Sequence, residues 1–83
     1  MNLERIQEDL IEYVFSKSDL ENKNDIPIDQ SLLITGVLDS FAVVELVEYI
    51  ESNWSIQILD SEFNQETMGS ISKMASLILL KSV

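Results

Sequence analysis

Neither cysteine nor histidine occurs in this sequence. Without cysteine there is no disulfide framework and no thiolate metal site. Without histidine the commonest general base is missing, and so is the usual nitrogen ligand of transition metals. Positive charge is also scarce: bases stand only at Arg5, Lys17, Lys23, Lys73 and Lys81, so the span from Asn24 to Ser72 has none. Fifteen acids outweigh them, and the formal charge is −10. Such a surface repels phosphate backbones and anionic headgroups, which excludes nucleic acid and membrane lipid as partners. It favours proteins with basic patches, and it also serves solubility. No basic n-region with an apolar core opens the chain, as a secretory signal would require. Apolar runs such as Leu77–Leu80 fall far short of the roughly 20 residues of a membrane span. A soluble cytoplasmic protein is expected.

What is present suits one small helical domain covering 1–83. The apolar fraction of 46% is ample for a packed core and argues against disorder. Leu3, Ile6, Leu10, Ile11 and Val14 fall at helical spacing, predicting a first helix from Leu3 to Phe15. Residues Ser16–Asp29 are polar and contain the sole proline, Pro27, so they read as a long loop. Leu32, Leu33, Ile34, Val37 and Leu38 should pin the second half of this connection to the core, with Gly36 at a turn. A second helix is predicted from Asp39 or Ser40 to Asn53, burying Val43, Leu46, Val47 and Ile50. Ile56 and Ile58 read as an extended link, and Asp60–Phe63 as a cap followed by one or two helical turns before Gly69. The last helix, Ser70–Lys81, would bury Ile71, Met74, Ala75, Ile78 and Leu79. Trp54 is placed at the edge of the core, with Met68 and Met74 as core filler. The predicted fold is all-α: a small antiparallel bundle of three main helices plus one short helix.

The chemistry concentrates at Gly36-Val37-Leu38-Asp39-Ser40-Phe41, where a serine stands at the mouth of an amphipathic helix. Asp39 suits the N-cap, because its carboxylate accepts from the first-turn amides and complements the helix dipole. Ser40 lacks the partners of a nucleophile, since the chain has no histidine and neither Ser-x-x-Lys nor Gly-x-Ser-x-Gly surrounds it. Read from spacing alone, it is either a capping serine or a hydroxyl presented for another enzyme to modify. Asp19–Asp25 faintly suggests a calcium loop, but it lacks glycine at the sixth position and has Gln30 where a bidentate glutamate is required. No metal site is expected.

Asp39-Ser40-Phe41, followed by Val44-Glu45-Leu46, resembles the Asp-Ser-Leu signature of the acyl and peptidyl carrier protein superfamily. The likeness continues through Ile56–Ile58, Ser61-Glu62-Phe63-Asn64-Gln65-Glu66 and Ser70-Ile71-Ser72-Lys73-Met74, and so covers nearly the whole chain. Gly-x-Leu-Asp-Ser, with Ser-Glu-Phe after it, is closer to D-alanyl and aminoacyl carriers than to the fatty-acid synthase type. The sequence departs from the common pattern at Phe41, where leucine or methionine is usual, and at Ala42, where many members have an acid. The resemblance implies a non-enzymatic carrier whose Ser40 bears a 4′-phosphopantetheine arm, with Asp39 beside it. It further implies a phosphopantetheinyl transferase, an adenylating ligase or acyltransferase, and a downstream acyl-accepting enzyme as partners of a monomer. The competing reading is an acidic helical adaptor that binds a basic protein and carries no cofactor.

In either reading, docking should use the face of the second helix left free by its buried stripe: Phe41, Val44, Glu45, Glu48 and Glu51. Exposed apolar residues beside acids mark a contact patch, and charge there governs encounter rate and partner choice more than affinity. Glu45→Lys combined with Glu48→Lys is therefore expected to slow modification by a pantetheinyl transferase without unfolding the protein. An unchanged rate at low salt contradicts this.

Overall fold

A computed structural model describes residues 2–64 and 68–82. Three α-helices carry the architecture: α1 (Leu3–Lys17), α2 (Ser40–Trp54) and α3 (Ile71–Lys81). Two 3₁₀ turns, Lys23–Asp25 and Asp60–Glu62, lie in the connections, and no strand occurs among the described residues. The radius of gyration, 11.7 Å, matches the roughly 12 Å of a compact chain of this length. The all-α bundle expected from the sequence is the fold observed.

Each helix starts where a polar side chain can accept from its unpaired first-turn amides. Asn2 caps α1 by accepting from the Arg5 amide, Asp39 caps α2 from Ala42, and Ser70 caps α3 from Lys73. Helix α1 runs to Lys17, one half-turn beyond the predicted end, and Lys17 there complements the C-terminal dipole. Helix α2 likewise passes Asn53. It stops at Ser55, the one described non-glycine residue with positive φ (54°), whose amide donates to the Glu51 carbonyl.

The core is one cluster built around Ile6, Leu10 and Val14 of α1, Leu46 and Ile50 of α2, and Ile71, Met74, Ala75 and Ile78 of α3. Helix α1 packs chiefly along α3, and α2 closes the third side. Several expected core positions lie elsewhere. Leu3 is exposed and Ile11 half-buried, while Val43 flanks the core and Val47 is half-buried. On α3, Leu77 is buried and Leu79 half-buried. At 100° per residue these two sit on opposite sides of the Ile71/Met74/Ala75/Ile78 stripe, and the helix is rolled toward Leu77.

The long first connection is more ordered than its composition suggests. Asn22 caps the Lys23–Asp25 turn, Ile26 is buried, and the Ile28 carbonyl accepts from the Ser72 amide at 2.9 Å. Of the residues expected to pin its second half, Leu32 and Leu38 are buried and Val37 half-buried. Leu33 and Ile34 are exposed instead, because 31–36 forms a tight turn with only one inward-facing position. The Thr35 amide donates to the Ser31 carbonyl and Gly36 to Leu33, so the intervening side chains project outward.

After α2, Ile56 and Ile58 pack half-buried against the core as the extended link expected. Asp60, expected as a cap, is instead the first residue of the 3₁₀ turn, with Leu59 at the N-cap position, and the helical turns expected beyond it fall in part on 65–67, outside the described residues. Glu62 fastens this turn: its Oε1 accepts from the Leu59 amide at 2.9 Å and pairs with Lys81 Nζ at 2.7 Å. Lys81 above all, and then the Leu59 amide, hold the Glu62 carboxyl below its ordinary value of 4.5. A carboxyl whose pKa is depressed by folding stabilises the fold above its unfolded pKa and loses that contribution as pH falls through the folded value. Glu62→Gln should therefore lower Tm near neutral pH and lessen the fall in Tm below about pH 4.5. Thermal melts at pH 7 and pH 3 check this, and equal losses at both contradict it.

Candidate functional site

The N-terminus of α2 is assembled from the turn that precedes it. Gly36 takes φ +80°, a left-handed conformation that suits glycine, and no atom lies within 4 Å of where a Cβ would stand. The Leu38 amide then donates back to the Leu32 carbonyl at 3.1 Å, with both side chains buried. This closed turn fixes where Asp39 must lie. Asp39 Oδ1 accepts from the Ala42 amide at 2.8 Å, and its carbonyl accepts the first helical bond, from Val43, at 3.0 Å.

Ser40 is exposed as the first residue of α2. Its amide and that of Phe41 have no acceptor among the described residues, as expected for a helix start. Two unpaired amides at the positive end of a helix suit an anion bonded to the neighbouring hydroxyl. The chain has no histidine to serve Ser40 as a base. Among the described residues, no group of three or more acids is arranged to hold a metal ion.

Around Ser40 the predicted contact residues divide. At 100° per residue, Phe41, Val44 and Glu48 share the side of α2 opposite Leu46 and Ile50. Phe41 is 74% exposed and Val44 52%, high values for large apolar side chains. Glu48 is exposed, whereas Glu45 is half-buried on the flank toward α1. Glu51 also has a structural task, because its Oε2 accepts from the Ile58 amide at 2.9 Å and ties the link to α2. Ala42 turns inward against the core, so the departure there removes an acid from a position the core partly covers.

Two further features were not singled out from the sequence. A cavity of about 170 Å³ opens beside Val43 and Leu46, walled by Leu33, Phe63, Met68 and Met74. In the crease between α1 and α2, Tyr13 stacks on Tyr49 (centroids 4.2 Å, interplanar angle 15°), and Trp54 meets Tyr49 edge-on at 5.8 Å. Trp54 is the half-buried core-edge residue expected. The sequence signal for the tyrosine pair is weak: each lies beside its helix's apolar stripe, and nothing local says the two will meet. Burial first, then Glu45 and Glu48, raises the Tyr13 pKa; burial and Asp9 raise that of Tyr49.

Fold and site together make a small all-α bundle that presents a serine at the capped start of its second helix. No family model matches the chain. Curated relatives do. D-alanyl carrier proteins of Streptococcus pyogenes serotype M5 (strain Manfredo), serotype M49 (strain NZ131) and serotype M1 are each 33% identical over 69 residues, covering 83% of this chain and 85% of the relative. The chain belongs to the D-alanyl carrier protein family.

Asp39→Ala removes the cap and should lower stability by about 1 kcal/mol, whereas Asp39→Asn should retain most of it because asparagine caps comparably well. Urea unfolding of the two variants checks this, and equal losses contradict the capping role.

Proposed function

We propose that residues 1–83 act as one carrier domain, bearing acyl or aminoacyl groups as thioesters on a 4′-phosphopantetheine arm attached to Ser40. The observation that carries this reading is Ser40 itself: an exposed hydroxyl at a capped helix start, in a chain that belongs to a carrier family. In the modification, Ser40 Oγ forms a bond to the phosphorus of coenzyme A that bears the pantetheine. The phosphoanhydride bond breaks, adenosine bisphosphate leaves, and the hydroxyl proton passes to a base on the transferase. The free amides of Ser40 and Phe41 suit the phosphodiester that results. Ser40 then takes no part in later chemistry and serves as a tether. A short flexible tether raises cargo concentration at a docked active site to roughly the millimolar range.

The partners in this reading are a Mg²⁺-dependent phosphopantetheinyl transferase, an adenylating ligase or acyltransferase that loads the thiol, and an enzyme that accepts the cargo. All would meet a monomeric carrier in the cytoplasm, on the Phe41, Val44, Glu45 and Glu48 side of α2. Glu51 would contribute its negative charge there while one oxygen holds the Ile58 amide. The relatives' name points to D-alanine as one cargo of the aminoacyl class. Among the described residues no helix is long and apolar enough to cross a membrane.

Intact-mass spectrometry after incubation with coenzyme A, Mg²⁺ and a broad-specificity transferase tests the reading. One phosphopantetheinyl addition, lost in Ser40→Ala, is expected. No addition, or one that persists in the variant, rejects attachment at Ser40 and leaves the cofactor-free acidic adaptor as the better account.

A further inference from the structure

The connection from α2 to α3 is anchored at both ends. At one end the Ile58 amide donates to Glu51 Oε2; at the other, Ser70 is buried and caps α3. Between them, 59–64 forms a strap with no buried side chain, in which Leu59 is 49% exposed and Phe63 48%. The least exposed residue of this strap is Glu62, which is half-buried. An apolar side chain ordinarily turns inward at such a place, because burying a charge is costly without a partner. Here the carboxylate turns in and meets Lys81 Nζ at 2.7 Å.

That pair differs from the other ion pairs described. The side chains of Lys81 and Glu62 are 20% and 24% exposed, whereas Arg5 is 71% exposed in its pair and Glu12 62% in its own. Water and salt therefore screen it less. Lys81 is the last residue of α3, so the pair ties the strap to the C-terminal end of that helix. The strap in turn carries Phe63 and Asn64, which wall one side of the 170 Å³ cavity; Leu33, Val43, Leu46 and Met74 line the rest of it. A cavity of this size is about what xenon or benzene requires. Its width thus depends on where the strap lies.

We propose that Glu62 and Lys81 form a latch. While paired they hold the 59–64 strap against α3 and keep the cavity narrow. When they part, the strap swings out on Ile58 and the cavity admits an apolar group that the closed form excludes. The three-helix core stays folded in the open form, because no residue of 59–64 belongs to it. The latch involves neither Ser40 nor a cofactor, so unmodified protein tests it, and its failure leaves the carrier reading intact.

Amide hydrogen exchange is measured in Lys81→Met, which keeps the aliphatic stem, and in Glu62→Gln, which keeps an acceptor for the Leu59 amide. Lys81→Arg preserves the pair, and Lys23→Met breaks a pair elsewhere. The Glu62 and Phe63 amides donate to the Leu59 and Asp60 carbonyls, and they report release of the strap. A single 3₁₀ turn without tertiary support frays. Lys81→Met and Glu62→Gln should exchange these amides about two- to five-fold faster, the size of one surface ion pair. Lys81→Arg and Lys23→Met should exchange them at the wild-type rate. Neutral N-phenyl-1-naphthylamine, a probe far larger than benzene, should bind the first two variants more tightly by a similar factor, with shifts at Val43, Leu46 and Met74. A lower Tm with unchanged strap exchange, or faster exchange without tighter probe binding, overturns the proposal.

Discussion

Burial of one side of α2 is the constraint on which the arrangement of this molecule depends. Leu46 and Ile50 are its only fully buried side chains, and both join the core shared by α1 and α3. Fully burying side chains of this size contributes about 1.5–3 kcal/mol each, against the roughly 0.2–1 kcal/mol of a surface ion pair. Hydrophobic packing therefore sets the rotation of α2. Once Leu46 and Ile50 point inward, the 3.6-residue period carries Ser40, Phe41, Val44 and Glu48 outward. The Asp39 cap then fixes where the helix begins, and hence which residue stands at its exposed start.

Much of this was legible in the sequence because it depends on local rules. The Asp39 cap, the turn at Gly36 and the central stripe of each helix (Ile6, Leu10 and Val14; Leu46 and Ile50; Ile71, Met74, Ala75 and Ile78) follow from side-chain chemistry and periodicity alone. The features that were not legible depend on neighbours distant along the chain. Leu77 and Leu79 flank the α3 stripe symmetrically, so only the surrounding packing could decide between them. Leu33 and Ile34 look like core residues by composition, yet hydrogen bonds among Ser31, Leu33, Thr35 and Gly36 close a turn that faces them outward. The loop before it is held by Ile26 and by the bond between Ile28 and Ser72, contacts that join segments far apart in sequence. The Tyr13–Tyr49 stack is of the same kind.

The candidate site divides along the same line. The Asp39 cap and the exposed place of Ser40 were legible because the motif is contiguous and its geometry is that of a helix start. The surrounding docking residues shared a helical face on paper, but the fold gives them different surroundings. Phe41 and Val44 stand in solvent, Glu51 braces the link, and Glu45 is half-buried. Glu45, Glu48 and Glu51, which form no ion pair among the described residues, lie on the helix that begins at Ser40. A partner with complementary charge would thus be steered to the end of the molecule where a tethered cargo would be held.

The central claim is that Ser40 is a tether point on a helix already fixed by its buried side, so adding the bare arm should leave the core undisturbed. Amide chemical shifts of the protein before and after phosphopantetheinylation test this directly. The account predicts changes confined to the turn before α2 and its first two turns, roughly residues 35–46, with Ile6, Leu10, Ile50 and Ile78 unmoved. Shifts spread through those core residues would contradict it, because they would mean that the arm is bound within the bundle and not merely tethered to its surface.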